Sequence, residues 1–214
     1  MLTAIPVEHI AQIDFEAFYR PVFPSAASAQ EFVRCVEAIP PQQSKAKIVL
    51  HQAGRMLWLA DRIERFARGR PALLILFYVI AAEAVAKLVK GFQGKGHVKD
   101  HVRIFFEDIC SDRDRSILSN AFSADGWLST LTLSEAVDLL YEVRCDVAHE
   151  GRYFTFTLPE PSDSFQVVTT YKNLSLEPRI TAHDIRQIVL HGAVLGAARL
   201  LPAGSPCLKR VPKL

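Results

Sequence analysis

Residues 72–82, ALLILFYVIAA, lie between Pro71 and Glu83 and constrain the fold more than any other part of the chain. A helix that is apolar all round has to be enclosed by other elements. Pro71 suits the first helical turn, because its missing N–H is one that the turn leaves unpaired, and Gly91 is a natural stop after Lys90. Glu83 interrupts the run well short of the roughly 20 residues that a membrane-spanning helix needs. The segment is therefore assigned to the protein core, with no membrane as partner.

The flanking segments carry helix punctuation. Ser28 and Glu31 have the capping-box spacing for a helix through EFVRCVEAI, which IPPQQS ends. Ser44 opens a longer helix through KIVLHQAGRMLWLADRIERFA, closed at Arg68-Gly69-Arg70-Pro71. After the glycine-rich GFQGKG, Val102, Phe105, Phe106 and Ile109 recur at helical spacing, and a short helical piece surrounds DRSILSNAF. Thr132 with Glu135 caps the next helix, and Thr181 opens the last.

Between those two helices the period changes. RYFTFTL (152–158) and FQVVTTY (165–171) alternate and are rich in β-branched and aromatic residues, so they predict a β-hairpin around PEPSDS. The fold class expected is mainly α: a helical bundle with one small β-hairpin inserted before the C-terminal helix. Residues 1–50 form an arm and a short helix packed on the body, and the prolines of RPVFP argue against a regular element there. Residues 51–203 form the helical domain, and residues 204–214 a tail that frays.

A chain of 214 residues is long enough to bury a real core, and 50% apolar with 22% charged residues is the composition of a folded domain. A net charge of +2 leaves any attraction for a polyanion to local clustering. Cys35, Cys110, Cys145 and Cys207 form no C-x-x-C pair, which predicts four reduced thiols, no metal site and a cytoplasmic protein. The N-terminus has no basic region followed by a long apolar run, so secretion is not expected.

The stretch YEVRCDVAHEG carries the residues best suited to chemistry. Ala136, Leu140, Val143 and Val147 recur at spacings of four, three and four, marking the buried stripe of its helix. Arg144 and His149 then point about 140° apart, on opposite shoulders of that stripe. A joint task needs the helix to end or distort near His149, or a second copy of the chain to bring the groups together. Asp146, three residues before His149, is spaced to orient its ring. The alternative is that Arg144 and His149 merely decorate and cap a helix end.

An arginine, four intervening residues and a histidine late in a helical bundle resemble the signature of the HEPN superfamily (higher eukaryotes and prokaryotes nucleotide-binding), many of whose members are ribonucleases. AAEAVAKLVKG, residues 81–91, is similar to an Ala-Glu-x-x-x-Lys segment of these domains, with Glu83 and Lys87 at the matching places. Two departures stand out. Cys145 follows the arginine where the family commonly has Asn, Asp or His, and the His-x-Tyr ending of one toxin branch is absent.

The resemblance implies a metal-independent endoribonuclease, without cofactor, acting as a homodimer on RNA through 2′-hydroxyl attack to a 2′,3′-cyclic phosphate. It also implies a setting as a toxin or antiviral-defence effector, with an antitoxin or regulatory protein as a further partner. Arg144 is then the phosphate clamp, His149 the general acid/base and Asp146 its orienter, with Glu83 contributing to the cleft. Lys87, Lys90, Lys95, Arg152 and Tyr153 are the expected RNA contacts. The alternative is a noncatalytic module of the same kind that binds nucleotide, RNA or a protein.

Other motifs weigh less. GFQGKG lacks the G-x-x-x-x-G-K-[ST] pattern of a phosphate loop, and His97 and His101 have no second ligand pair. Arg55, Arg62, Arg65, Arg68 and Arg70 are either a solvated face or a contact for RNA phosphates. Trp58, amid Met56, Leu57 and Leu59, is read as core.

Overall fold

The computed structural model describes residues 13–40, 45–91, 96–124, 129–160, 167–172 and 174–212. The helices are α1 (Phe15–Tyr19), α2 (Ala26–Glu37), α3 (Lys45–Phe66), α4 (Pro71–Lys90), α5 (Val98–Arg103), α6 (Asp112–Ser119), α7 (Leu133–Glu150) and α8 (Ala182–Arg199). A π-helical stretch, Ile104–Ile109, continues α5. The fold is mainly α, a helical bundle with a small antiparallel sheet. As the apolar run requires, α4 is the central helix and packs against α3, α5, α7 and α8. Glu83 does not cut it short: at 20 residues α4 is long and apolar enough to cross a membrane, yet 56% of its most apolar window is buried inside the bundle.

Helix α8 approaches its neighbours closely through two glycines. A Cβ on Gly192 would lie 2.9 Å from Phe105 Cε2, and the Phe105 ring is wholly buried. Overfilling a packed interior costs about 1–3 kcal/mol, because side chain or backbone must shift. Gly192→Ala is therefore expected to lower the denaturant midpoint at unchanged slope, which chemical unfolding reads directly. An unchanged midpoint would mean that the Phe105 ring has room to move.

The sheet has the order β2-β1-β4-β3, from Phe122–Ala124 (β1), Ser129–Thr130 (β2), Thr169–Tyr171 (β3) and Leu174–Pro178 (β4). The hairpin is thus β3 with β4, Tyr171 facing Leu174 across the turn, and not residues 152–158 with 165–171 as the alternation suggested. Residues 152–158 form no strand. Their alternation is real as burial, since Phe156 and Leu158 are buried and Phe156 packs against Phe122 and Tyr171. The Thr157 N–H, however, donates to the Thr169 hydroxyl and not to a ladder carbonyl. Period-two burial reports which side chains point inward, not whether the backbone pairs.

Residues 13–40 and 201–212 hold more regular structure than expected. RPVFP does not prevent regular structure: α1 runs into a short 3-10 turn, Arg20–Val22, with Pro21 in its first turn, where a missing N–H costs nothing. Ser25, not Ser28, caps α2; Ser28 occupies the third position and returns its hydroxyl to the Ser25 N–H. Ser44 lies outside the described residues. Residue 50, the expected limit of the arm, lies within α3. The short helix expected around DRSILSNAF begins at Asp112 and gives way to β1 at Phe122. Within the tail, Pro206–Arg210 form a 3-10 helix against α2 where fraying was expected, and Cys207 is disulfide-bonded to Cys35. Only Cys110 and Cys145 are free thiols, which corrects the expectation of four.

Candidate functional site

Helix α7 is built as its sequence predicts. Thr132 and Glu135 exchange capping hydrogen bonds, and the backbone N–H of Thr132 holds the Glu135 carboxyl below the usual carboxylate range. Ala136, Leu140, Val143 and Val147 are buried. Gly151 ends the helix at φ 65°, a left-handed conformation that suits glycine, and the N–H groups of Gly151 and Arg152 close onto the carbonyls of Val147 and Asp146.

Arg144 turns from this helix toward α4. Its side chain is 17% exposed, and Nη2 lies 3.8 Å from Oε2 of the buried Glu83, close enough to be an ion pair but too long for a hydrogen bond. Nη1 reaches only the Cys145 sulfur, at 4.0 Å. The Nε atom is buried and has no hydrogen-bond partner among the described residues. A guanidinium carries five donors in a fixed fork, so this one is held in place with its hydrogen-bonding capacity largely unspent.

Glu83 points inward, as a contribution to the cleft requires, and it also pairs with Lys87. Both residues line a groove of about 490 Å³ between α3 and α4, together with Lys45, Gln52 and Gly91. Lys45 and Gln52 were not singled out from sequence, because nothing local shows that α3 faces Glu83.

His149 stands in the last turn of α7, exposed, and makes no hydrogen bond or ion pair with Arg144 or with any other described residue. Within one chain the structure does not bring the two together. Asp146 is engaged elsewhere: its Oδ2 accepts a 2.8 Å hydrogen bond from the Tyr171 hydroxyl, and it has none to His149. Burial, and then that hydrogen bond, push the Tyr171 phenol well above its ordinary range. One turn earlier, Lys172 pairs with Glu142 at 3.0 Å. The β3–β4 hairpin thus grips α7 at two positions four residues apart, a role for Tyr171 that no spacing in the sequence signals.

The remaining expected RNA contacts are dispersed. Lys90 pairs with Asp108 at 3.5 Å, and Lys95 lies outside the described residues. Arg152 pairs with Glu150 at 2.8 Å, while Tyr153 is exposed and packs edge-on against the exposed Phe154. Beside Arg144, the neighbouring Cys145 thiol and then burial raise the Tyr141 phenol above its usual range. His97 meets Asp100, His101 bonds the His97 carbonyl, and no cluster of three metal-binding side chains occurs among the described residues.

The site therefore offers a cationic fork with free donors, an adjoining groove that contains lysines, and an imidazole open to solvent on the same helix. No protein-family model, curated protein or solved structure matches the chain, so a functional reading has to stand on these residues.

Proposed function

We propose that the chain is a metal-independent endoribonuclease that acts as a homodimer, of the kind its Arg-x4-His motif resembles. The observation that carries this reading is Arg144, a mostly buried guanidinium whose Nε has no partner and whose nearest carboxylate lies beyond hydrogen-bond length. Such a group is organised to receive an acceptor that the described residues do not provide. The phosphodiester of RNA fits, because its non-bridging oxygens match the fork and gain negative charge as the 2′-oxygen adds.

In the proposed reaction His149 removes the 2′-hydroxyl proton, the 2′-oxygen attacks phosphorus, and the 5′-oxygen departs with a proton. The P–O2′ bond forms and the P–O5′ bond breaks, leaving a 2′,3′-cyclic phosphate and a 5′-hydroxyl. Because the two groups diverge on α7, a second copy supplies the histidine that faces each arginine. A role as toxin or defence effector under a regulatory protein follows from the same resemblance.

A noncatalytic RNA- or nucleotide-binding module is the second reading. It is favoured by the absence of any Arg144–His149 contact within one chain and by the thiol of Cys145 in place of a polar helper.

Incubation of the purified protein with mixed RNA in EDTA separates the two. Cleavage that resists the chelator and leaves cyclic-phosphate ends is the expected result, from a species that sediments as a dimer. RNA that is bound but never cut would replace the enzyme with the binding module.

A further inference from the structure

We infer that the solvent face of α3 is an RNA-backbone surface that leads into the groove beside Glu83. This rests on the proposal that RNA is the polymer handled. Ala46, Val49, Leu50, Ala53, Leu57 and Ala60 bury one side of α3. On the other side Lys45, Gln52, Arg55, Arg62 and Phe66 fall within about 100° of arc and span about 30 Å of helix. Lys45 and Gln52, at one end, line the groove that also holds Glu83 and Lys87. The surface is therefore continuous with the carboxylate that meets Arg144.

What separates this face from an ordinary charged surface is that its cations have no counter-ions among the described residues. Arg55 and Arg62 on this face, and Arg65, Arg68 and Arg70 beside its C-terminal end, are all exposed, and none forms an ion pair among the described residues. Elsewhere most cations are paired, as in Arg34 with Glu16, Arg103 with Asp138, Lys172 with Glu142 and Arg210 with Glu31, while Arg20 and Arg113 are isolated exceptions and not part of a row. The acids on α3 do not intervene. Asp61, one turn before Arg65, is taken by a bidentate bond from Arg186 on α8, with both contacts at 2.7 Å, and Glu64 pairs with neither Arg65 nor Arg68. Uncompensated arginines in a row attract a chain of phosphates, which releases its condensed counter-ions on binding.

Two aromatic rings accompany the charges. Arg62 lies over the half-buried Trp58 ring at 4.9 Å, which holds the guanidinium against the helix. Phe66 is 91% exposed at the C-terminal end of α3. An aromatic face in water beside a cationic track is what unpaired bases stack on, so the occupant is single-stranded RNA and not a duplex.

The test uses a fluorescein-labelled oligoribonucleotide of mixed sequence, bound to the full chain carrying His149→Ala so that cleavage does not intrude. In that background Arg55→Gln with Arg62→Gln is expected to weaken binding and to flatten the plot of log affinity against log salt by about 1.4, about 0.7 for each single-strand phosphate that is no longer neutralised. A control pair, Arg20→Gln with Arg113→Gln, removes the same charge from exposed sites elsewhere and is expected to leave the slope unchanged. Phe66→Ala is expected to cost about 5- to 150-fold in affinity for the single strand.

Equal flattening in both pairs would reduce the effect to net charge and overturn the assignment, as would an Arg55/Arg62 pair that binds like its parent. Binding to phosphatidylserine vesicles without affinity for the oligoribonucleotide would overturn it in favour of a membrane surface. A wild-type chain that shows the predicted slopes but cuts no RNA keeps this surface and loses the nuclease. One that cuts RNA with unaltered slopes keeps the nuclease and loses the surface.

Discussion

Replacing Arg144 by alanine is expected to lower the rate of RNA cleavage by about 10²–10³-fold, the usual effect of removing one pre-organised donor to a developing oxyanion. The fold has little reason to respond. Arg144 contributes one long ion pair and a weak thiol contact, and the buried Glu83 retains Lys87 as its partner. Arg144→Lys keeps the charge but not the fork and is expected to restore only a small part of the rate. His149→Ala is expected to cost about 10²–10⁴-fold, as for a general acid or base. Because His149 is exposed and unpaired, its loss should move stability by no more than about 0.5 kcal/mol.

The two variants also test the dimer when mixed. If each site takes Arg144 from one copy and His149 from the other, half of the randomly exchanged dimers are mixed and each has one intact site of two. About a quarter of the wild-type rate should then return. Two inactive proteins that remain inactive together, despite subunit exchange, would exclude a site shared in that way. Full activity in a strictly monomeric species would remove the reason for a second copy altogether.

How far the site could be read from sequence depends on the range of each interaction. The α7 helix was legible to its last residue, because Thr132, Glu135 and Gly151 act within one turn of the ends they define and the stripe from Ala136 to Val147 repeats with the helix itself. The inward position of Glu83 could be weighed because the apolar residues around it left few other directions. Partners distant in sequence could not be found. Tyr171 reaches Asp146 from 25 residues away, and the sequence placed Asp146 beside His149 because only the local spacing was visible. Residues 152–158 show the same limit, since their alternation described burial correctly while the pairing partner of β3 was the segment that followed it.

The disulfide is the longest-range case, and it carries the second large prediction. Cys35 and Cys207 are 172 residues apart, so no spacing rule connects them. Under denaturing, nonreducing conditions a thiol reagent is expected to titrate only Cys110 and Cys145. Replacing Cys35 and Cys207 together by alanine is expected to cost about 2–5 kcal/mol, because the crosslink removes loop entropy from the unfolded chain that the variant regains. For a chain of this size each kcal/mol moves the melting temperature by about 2–4 °C, so a thermal scan will read the loss plainly. The tail has further attachments: Arg210 pairs with Glu31 on α2, and the Cys207 residue is 2% exposed. The variant should therefore keep its folded structure and its cleavage rate per folded molecule, since α2 and the tail pack away from α7. Four titratable thiols in the purified protein would show that the bond does not form in the compartment where the chain is made. A melting temperature that rises on substitution would mean instead that the crosslink holds α2 and the tail in strain, and that the packing of residues 201–212 depends on their own contacts.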